Sequence, residues 1–166
     1  MIKKIIFFSF ILGLFNTNAL ALETIYTGLQ ASQFTYEDDF IEGDPAALAF
    51  RLGGYLEGGM AIETRFGSGL QGYTDTVGAV EFDVEPFLGL YGLYHIGWGS
   101  NASFYGILGF TNGEVKLSTA TVDTRTTNIS YGAGLNIANF NFEIIQYLHD
   151  ELYDVTAISF GFVTEF

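Results

Sequence analysis

The chain has 166 residues, which suffices for one domain and is short for two. It contains 19 acidic and 6 basic residues, a formal net charge of −13, with 21 glycines, 17 phenylalanines, 10 tyrosines and no cysteine. This acidity excludes a nucleic-acid partner, since phosphate binding needs a basic surface. The absence of cysteine excludes disulfides and thiolate metal sites. The abundance of aromatic residues argues against disorder.

The first 21 residues have the features of a signal peptide. Two lysines precede the apolar run Ile5–Phe15, and Ala19-Leu20-Ala21 matches an A-x-A cleavage pattern. The run is shorter than the roughly 18 residues of a spanning helix, although an uncleaved anchor is an alternative. We therefore expect a mature domain of residues 22–166. With Lys3 and Lys4 removed, four bases face 19 acids, a net charge of −15.

Cleavage is expected directly after Ala21, because this residue closes the polar end of the signal. N-terminal sequencing of the protein from the cell envelope should begin at Leu22. A sequence that begins at Met1 would contradict the signal peptide.

The rest of the chain alternates with period two, which indicates strands rather than helices. At the C-terminus, Ile158, Phe160, Phe162, Thr164 and Phe166 fall on one face, and Ala157, Ser159, Gly161, Val163 and Glu165 on the other. Glycines leave the facing of the fourth and fifth strands undecided. We predict eight strands: Thr24–Tyr36, Ala47–Glu57, Gly59–Gly67, Phe82–Ile96, Ala102–Asn112, Thr127–Ala138, Asn139–His149 and Tyr153–Phe166.

The connections alternate between short and mostly longer ones. The short ones are Gly58, Gly97–Asn101 and Ala138–Asn139; the others are Glu37–Ala46, Ser68–Glu81, Gly113–Thr126 and the brief Asp150–Leu152. Such alternation is typical of outer-membrane barrels, whose turns are periplasmic. The predicted fold is therefore all-β, an eight-stranded antiparallel up-and-down transmembrane β-barrel. A soluble lipocalin-like barrel, apolar inside, is the alternative.

Two segments carry a resemblance to a known family. The sequence Tyr26-Thr27-Gly28-Leu29-Gln30 resembles the opening strand of the small outer-membrane barrels typified by the OmpA transmembrane domain and OmpX. Ser159, Gly161 and Phe166 resemble the C-terminal assembly signal of such barrels, while Thr164 departs from its apolar preference. The resemblance implies a Gram-negative outer-membrane location with periplasmic termini. It also implies contact with outer-membrane lipid and lipopolysaccharide, and with the barrel-assembly machinery during biogenesis.

Several charged residues lie at strand positions that are predicted to face the barrel interior. The period-two alternation places Arg51, Glu63, Arg65 and Glu143 inside the barrel, with Gln30 as a neutral partner. Glu85 is a further candidate for the interior, and Glu57 and Glu165 are expected near the periplasmic mouth. Folding about Gly58 sets Arg51 opposite Arg65, so acids must lie between them. This lumen charge network is either a static polar core or a gate that switches partners.

Aromatic residues gather at the predicted strand ends, as in the two belts of such barrels. The periplasmic belt is predicted to contain Tyr94, Trp98, Phe104, Phe140, Phe142, Phe162 and Phe166, and the outer belt Phe34, Tyr36, Phe66, Phe110, Tyr147 and Tyr153. Inner-face glycines are predicted to make room inside the barrel for Tyr26, Tyr55 and Tyr147; these glycines are Gly28, Gly53, Gly132, Gly134 and Gly161.

No catalytic site is predicted, and neither is a cofactor or metal. His95 and His149 end different strands at opposite membrane faces, and Ser130 has no visible activating partner. The first long connection is acidic and could attract Ca²⁺ or simply be hydrated; its acids are Glu37, Asp38, Asp39, Glu42 and Asp44.

The sequence thus favours an outer-membrane barrel with a largely filled lumen and a structural or general membrane role, including a narrow pore. A loop-mediated surface adhesin or receptor, with an unidentified host or surface ligand, is the alternative. A barrel enzyme that acts on lipid is the third hypothesis, but the sequence offers no combination of catalytic residues for it.

Overall fold

The structure, a computed structural model, describes residues 22–38, 42–71, 73–74, 81–97, 101–113, 115–117, 126–149 and 153–166. The predicted signal peptide lies outside this range. Eight long strands dominate: β1 Leu22–Asp38, β2 Ala46–Leu56, β3 Met60–Gln71, β4 Phe87–Gly97, β5 Ala102–Gly113, β6 Thr126–Ile137, β7 Phe140–His149 and β8 Tyr153–Glu165. No helix in the described part of the chain is long and apolar enough to cross a membrane.

The eight strands close into an antiparallel barrel. Each pairs with its neighbour in the chain, and β8 returns to pair with β1 from Tyr26 opposite Glu165 to Asp38 opposite Tyr153. Closure pairs the backbone groups that an open sheet would leave free at its edges. The predicted fold of eight antiparallel strands is confirmed.

One predicted strand is wrong in its extent. The stretch Phe82–Ile96 is two strands, Glu81–Val84 and β4, separated at Glu85 and Pro86. Proline has no backbone N–H to donate to a ladder, so the strand is interrupted there. Glu85, a candidate for the lumen, therefore lies on a connection instead.

The β3–β4 and β5–β6 connections contain short strands that the sequence pattern did not predict. Strand β3 continues to Gln71, beyond the predicted end at Gly67. Segments Tyr73–Thr74, Glu81–Val84 and Val115–Leu117 pair into a separate three-stranded sheet, which joins the β3–β4 connection to the β5–β6 connection.

The barrel has two distinct ends. The turn end carries the connections at residues 57–59, 98–101 and 138–139, which are two to four residues long, together with Leu22 and Phe166. The loop end carries the three longer connections, β1–β2, β3–β4 and β5–β6, the three-residue connection between β7 and β8, and the three-stranded sheet. The first turn depends on glycine, because Gly58 and Gly59 have φ values of 79° and 81°, which other residues adopt only with strain.

The outer face is apolar and the inner face holds the polar side chains. On β8, Ile158 is 68% exposed and Ala157 only 1%, so the predicted parity is confirmed. The undecided strands follow the same rule: Tyr91 on β4 and Tyr105 on β5 are buried, whereas Tyr94 and Leu108 are exposed.

The aromatic belts are partly as predicted. The turn-end residues Tyr94, Phe104, Phe140, Phe142, Phe162 and Phe166 are exposed on the outside, as are Phe66 and Phe110. The assignment of Phe34 and Tyr147 to the outer belt is wrong, because both are buried in the interior. Each shares its strand parity with inward residues, Phe34 with Gln30 and Tyr147 with Glu143. Trp98 and the side chains of Tyr36 and Tyr153 lie outside what the structure describes.

Candidate functional site

Four charged side chains meet in the middle of the barrel. They come from Arg51 on β2, Glu63 and Arg65 on β3, and Glu143 on β7, and all four are buried. Strands β3 and β7 are four places apart in either direction around the ring. Contacts between them therefore cross the whole lumen.

Each arginine is paired with both glutamates. Glu63 Oε2 accepts bonds from Arg51 Nε at 3.0 Å and Nη2 at 2.7 Å, and Glu63 Oε1 accepts from Arg65 Nε. Glu143 accepts from Arg65 Nη1 at 2.7 Å and Nη2 at 3.1 Å, and lies 3.1 Å from Arg51 Nη2. These four residues, the charge quartet, alternate in sign and carry no formal net charge.

Pairing of β2 with β3 explains why this quartet is needed. The register sets Arg51 directly opposite Arg65, as the sequence predicts. Two cations in facing positions repel each other, and burial would raise that cost unless carboxylates intervene. Glu63 supplies its carboxylate from β3 itself, two residues before Arg65, and Glu143 supplies the other from β7 across the lumen.

Neutral side chains complete the hydrogen bonding of the quartet. Gln30 donates to Glu143 and accepts from Arg65 Nη1 at 3.2 Å. Tyr26 donates its hydroxyl to Glu63 at 2.7 Å, and Tyr105 donates to Glu143 at 2.6 Å. Such a polar network rigidifies an interior when its members are satisfied.

Sequence reasoning missed four partners of the quartet, which are Tyr26, Tyr91, Tyr105 and Asn141. Asn141 Oδ1 accepts from Arg51 Nη1 at 2.6 Å, and the ring of Tyr91 lies 4.7 Å from Arg65 Cζ. Asn141 could have been predicted as an interior residue, because it lies two positions before the inward-facing Glu143. Tyr91 and Tyr105 were hidden, because glycines on both faces of β4 and β5 blur the alternation.

Glycines on the inner face create the space for these side chains. A Cβ at Gly53 would overlap the ring of Tyr26, and one at Gly134 would overlap the ring of Tyr105. At Gly161 it would overlap Asn141 Oδ1, the atom that holds Arg51. Inner glycines are therefore packing partners of the site.

A hydroxyl layer lies on the loop-end side of the quartet. Ser32 and Ser159 are bonded at 2.8 Å, and Thr111 bonds both Tyr91 at 2.6 Å and Ser130 at 2.7 Å. Ser130 also donates to the carbonyl of Tyr147 at 3.2 Å. This serine is therefore bound into the interior packing.

On the turn-end side, His95 packs against tyrosines. Its ring stacks on Tyr105 with centroids 4.8 Å apart, meets Tyr55 at 5.3 Å, and its Nδ1 lies 3.3 Å from Ser103 Oγ. His149 occupies the far end of β7, so the two histidines lie at opposite ends of the barrel. Glu57 and Glu165 are exposed at the turn end.

The described residues contain no group of three or more His, Asp or Glu side chains placed to hold a metal. Asp44 belongs to the acidic first connection, and its side chain is exposed. The other acids of that connection, Glu37, Asp38, Asp39 and Glu42, have side chains outside the description. The Ca²⁺ reading thus stays a hypothesis.

The three residues of the assembly pattern are split between two faces. Ser159 and Gly161 face the lumen, whereas Phe166 is exposed and its N–H bonds the carbonyl of Ile25 at 2.8 Å. Their role in assembly stays a prediction.

Comparisons with known proteins concern the fold. No protein-family model matches the sequence, and no curated protein is significantly similar to it. Among solved structures, the attachment invasion locus protein Ail of Yersinia pestis, in complex with the heparin analogue sucrose octasulfate, has 19% identity and a TM-score of 0.60. That match covers 87% of this chain and 100% of the Ail chain.

Two other structures match over similar lengths. Neisserial surface protein A has 13% identity and a TM-score of 0.63, covering 86% of this chain and 97% of its own. A de novo designed transmembrane β-barrel has 12% identity and a TM-score of 0.50, covering 85% and 95%. The chain therefore has the fold of the small eight-stranded outer-membrane β-barrels.

Proposed function

We propose that the protein is an integral outer-membrane β-barrel with a filled lumen and a structural or general role in the membrane. The observation that carries this is the reversal of polarity, with charges inside and apolar side chains outside. Leu29, Phe50, Leu108 and Ile144 are exposed on four strands around the barrel. In water this face would aggregate, whereas in lipid it is the expected outer band.

Strand length supports the same proposal. A tilted strand needs about 9–11 residues to cross a bilayer. The barrel strands have 10 to 17 residues, so each is long enough to span. The soluble lipocalin-like alternative requires the opposite facing.

We propose that the charge quartet is a static core rather than a gate. Each of its charges already has an opposite charge within 3.1 Å, and four neutral residues, Tyr26, Gln30, Tyr105 and Asn141, are hydrogen-bonded to it. Switching partners would cost these bonds in a water-poor interior. An eight-stranded barrel is also just wide enough to be filled by side chains.

Orientation follows from the two ends. We propose that the turn end faces the periplasm and the loop end faces outward, as in other barrels of this size. Outer-membrane lipid and lipopolysaccharide would then surround the apolar band. The assembly machinery would recognise the C-terminal residues Ser159, Gly161 and Phe166.

A second candidate function is surface binding through the loops. The three-stranded sheet Tyr73–Thr74, Glu81–Val84 and Val115–Leu117 gives the loop end an ordered element in addition to the barrel strands. Transfer of residues 72–86 and 114–125 to an unrelated small barrel tests this reading. Binding to host cells that follows the transferred loops would support a receptor; binding that stays with the original barrel would contradict it.

A catalytic role has no support in the described site. Ser130 is bonded within the hydroxyl layer, and the histidines lie at opposite ends. We propose that the protein is not an enzyme.

Membrane fractionation with heat-modifiable gel mobility tests the proposed function. The protein should be recovered with the outer membrane and should migrate faster unheated than boiled in detergent, because the closed barrel resists unfolding. Recovery of the mature chain in the soluble periplasmic fraction would contradict the proposal.

A further inference from the structure

Three aromatic side chains meet in the lumen on the loop-end side of the charge quartet. They are Phe34 on β1, Phe87 on β4 and Tyr147 on β7, here called the aromatic triad. The ring centroids are 6.2 Å apart for Phe34 and Phe87, 5.3 Å for Phe34 and Tyr147, and 6.1 Å for Phe87 and Tyr147. All three pairs are therefore within the range of direct aromatic contact.

The three strands are distributed almost evenly around the barrel. In the ring, β4 is three places from β1, β7 is three places from β4, and β1 is two places from β7. Side chains that point inward from such positions converge on the axis. The triad therefore fills the cross-section from three sides.

The wall at this level is shaped to fit the rings. A Cβ at Gly67 would overlap the Phe87 ring, and one at Gly113 would lie 2.9 Å from Phe87 Cβ. The exposed fractions of Phe34, Phe87 and Tyr147 are only 4%, 4% and 3%. The rings therefore pack directly against the barrel wall and are almost inaccessible to solvent.

On β1 and β7, the residues of the triad come four positions after the inward residues of the quartet layer. On β1 the inward residues run Gln30, Ser32, Phe34, and on β7 they run Glu143, Ile145, Tyr147. Four residues of tilted strand correspond to about 10 Å along the axis. Ser32, which is 5% exposed, lies between the quartet layer and the triad layer.

The turn end differs from the loop end. At the turn end, inward residues Tyr55, His95 and Ser103 are all partly exposed. Solvent therefore reaches into the lumen from this end as far as the layer of Tyr55 and His95.

We propose that the aromatic triad is the seal of the lumen. It excludes water and ions that arrive from the loop end, so that solvent enters the barrel only from the turn end. Apolar constrictions close pores by excluding water without any charge being required. This inference adds a second barrier to the filled lumen of the proposed function, and it requires only a folded barrel.

Cysteine accessibility tests the seal, and the native chain contributes no thiol of its own. Ser32→Cys and Ser103→Cys are made separately, and each folded protein in detergent micelles is treated with a small charged methanethiosulfonate. With the native triad, Ser103→Cys should react readily and Ser32→Cys slowly. When Phe34→Ala and Phe87→Ala are added, the rate at Ser32→Cys should rise at least tenfold.

A matched variant on the outer face controls for indirect effects. Phe66→Ala removes an aromatic ring from the outer face of the barrel, so it should not change the rate at Ser32→Cys. Heat-modifiable mobility confirms that each variant is folded before labelling. If the double variant does not fold, Phe87→Ala alone serves, with the same direction of change.

Three results would overturn the seal. They are rapid labelling of Ser32→Cys with the native triad, an unchanged rate in a folded triad variant, and a protected Ser103→Cys. Because labelling is measured in micelles, these outcomes are independent of where the protein resides in the cell. Failure of the seal and failure of the proposed location are thus distinguishable.

Discussion

Replacing Glu63 with glutamine should lower the free energy of unfolding by about 3–5 kcal/mol, the usual cost of removing one partner from a buried ion pair. Glu63 receives hydrogen bonds from Arg51, Arg65 and Tyr26. The neutral amide would leave two buried guanidinium groups with one carboxylate. Urea unfolding in detergent micelles or lipid vesicles, followed by gel mobility, measures the difference.

Glu57→Gln provides the matched control, since the same chemical change is made at an exposed position of the turn end. Exposed ion pairs contribute about 0–1 kcal/mol, so its unfolding midpoint should stay near that of the native protein. Adding Arg51→Gln to Glu63→Gln should recover part of the loss, because the charges are balanced again. Equal midpoints for Glu63→Gln and Glu57→Gln would contradict the importance of the quartet.

Replacing Phe162 with arginine should impair insertion into lipid. Phe162 points outward from β8 and packs against Phe140 with ring centroids 5.6 Å apart. Arginine on the lipid face costs about 2–4 kcal/mol at the midplane and less toward the interfaces. Because Phe162 is nearer the turn end, a loss in the lower part of this range is expected.

Phe162→Leu is the appropriate control, since it retains an apolar side chain at the same place. Alanine at Gly161 is unsuitable, because its Cβ would meet Asn141 Oδ1 inside the barrel. Folding into lipid vesicles, followed by mobility on unheated gels, should separate the two substitutions at Phe162. Equal folded yields would mean that this side chain does not face lipid.

Much of the fold follows from the sequence where large and small residues alternate. On β8, the phenylalanines and the small residues occupy opposite faces, so the outside and inside of the barrel were predictable. On β4 and β5 they were not, because Gly89 and Gly109 lie on the inner face and Gly92 and Gly106 on the outer face. Because glycine occurs on both faces of these strands, the alternation of large and small residues with period two cannot be recognised.

The site was predictable in its members but not in its geometry. Parity alone assigns Arg51, Glu63, Arg65 and Glu143 to the interior. The contact between Arg65 and Glu143 depends on β3 and β7 being opposite each other in a closed ring, which no local pattern encodes. Phe34 and Tyr147 lie near strand ends, where outer-belt aromatic residues are expected, but the alternation along their strands turns both side chains inward.

The most direct test of a lipid-facing exterior around a polar interior is spin-label accessibility along β8. Single cysteines at Ala157, Ile158, Ser159 and Phe160, in a chain without native cysteine, would carry nitroxide labels in lipid bilayers. Labels at 158 and 160 should collide often with oxygen, which is enriched in lipid, and rarely with a water-soluble nickel complex, whereas labels at 157 and 159 should be protected from both. Frequent collisions of the nickel complex with labels at 158 and 160, or accessibility without alternation, would contradict the account.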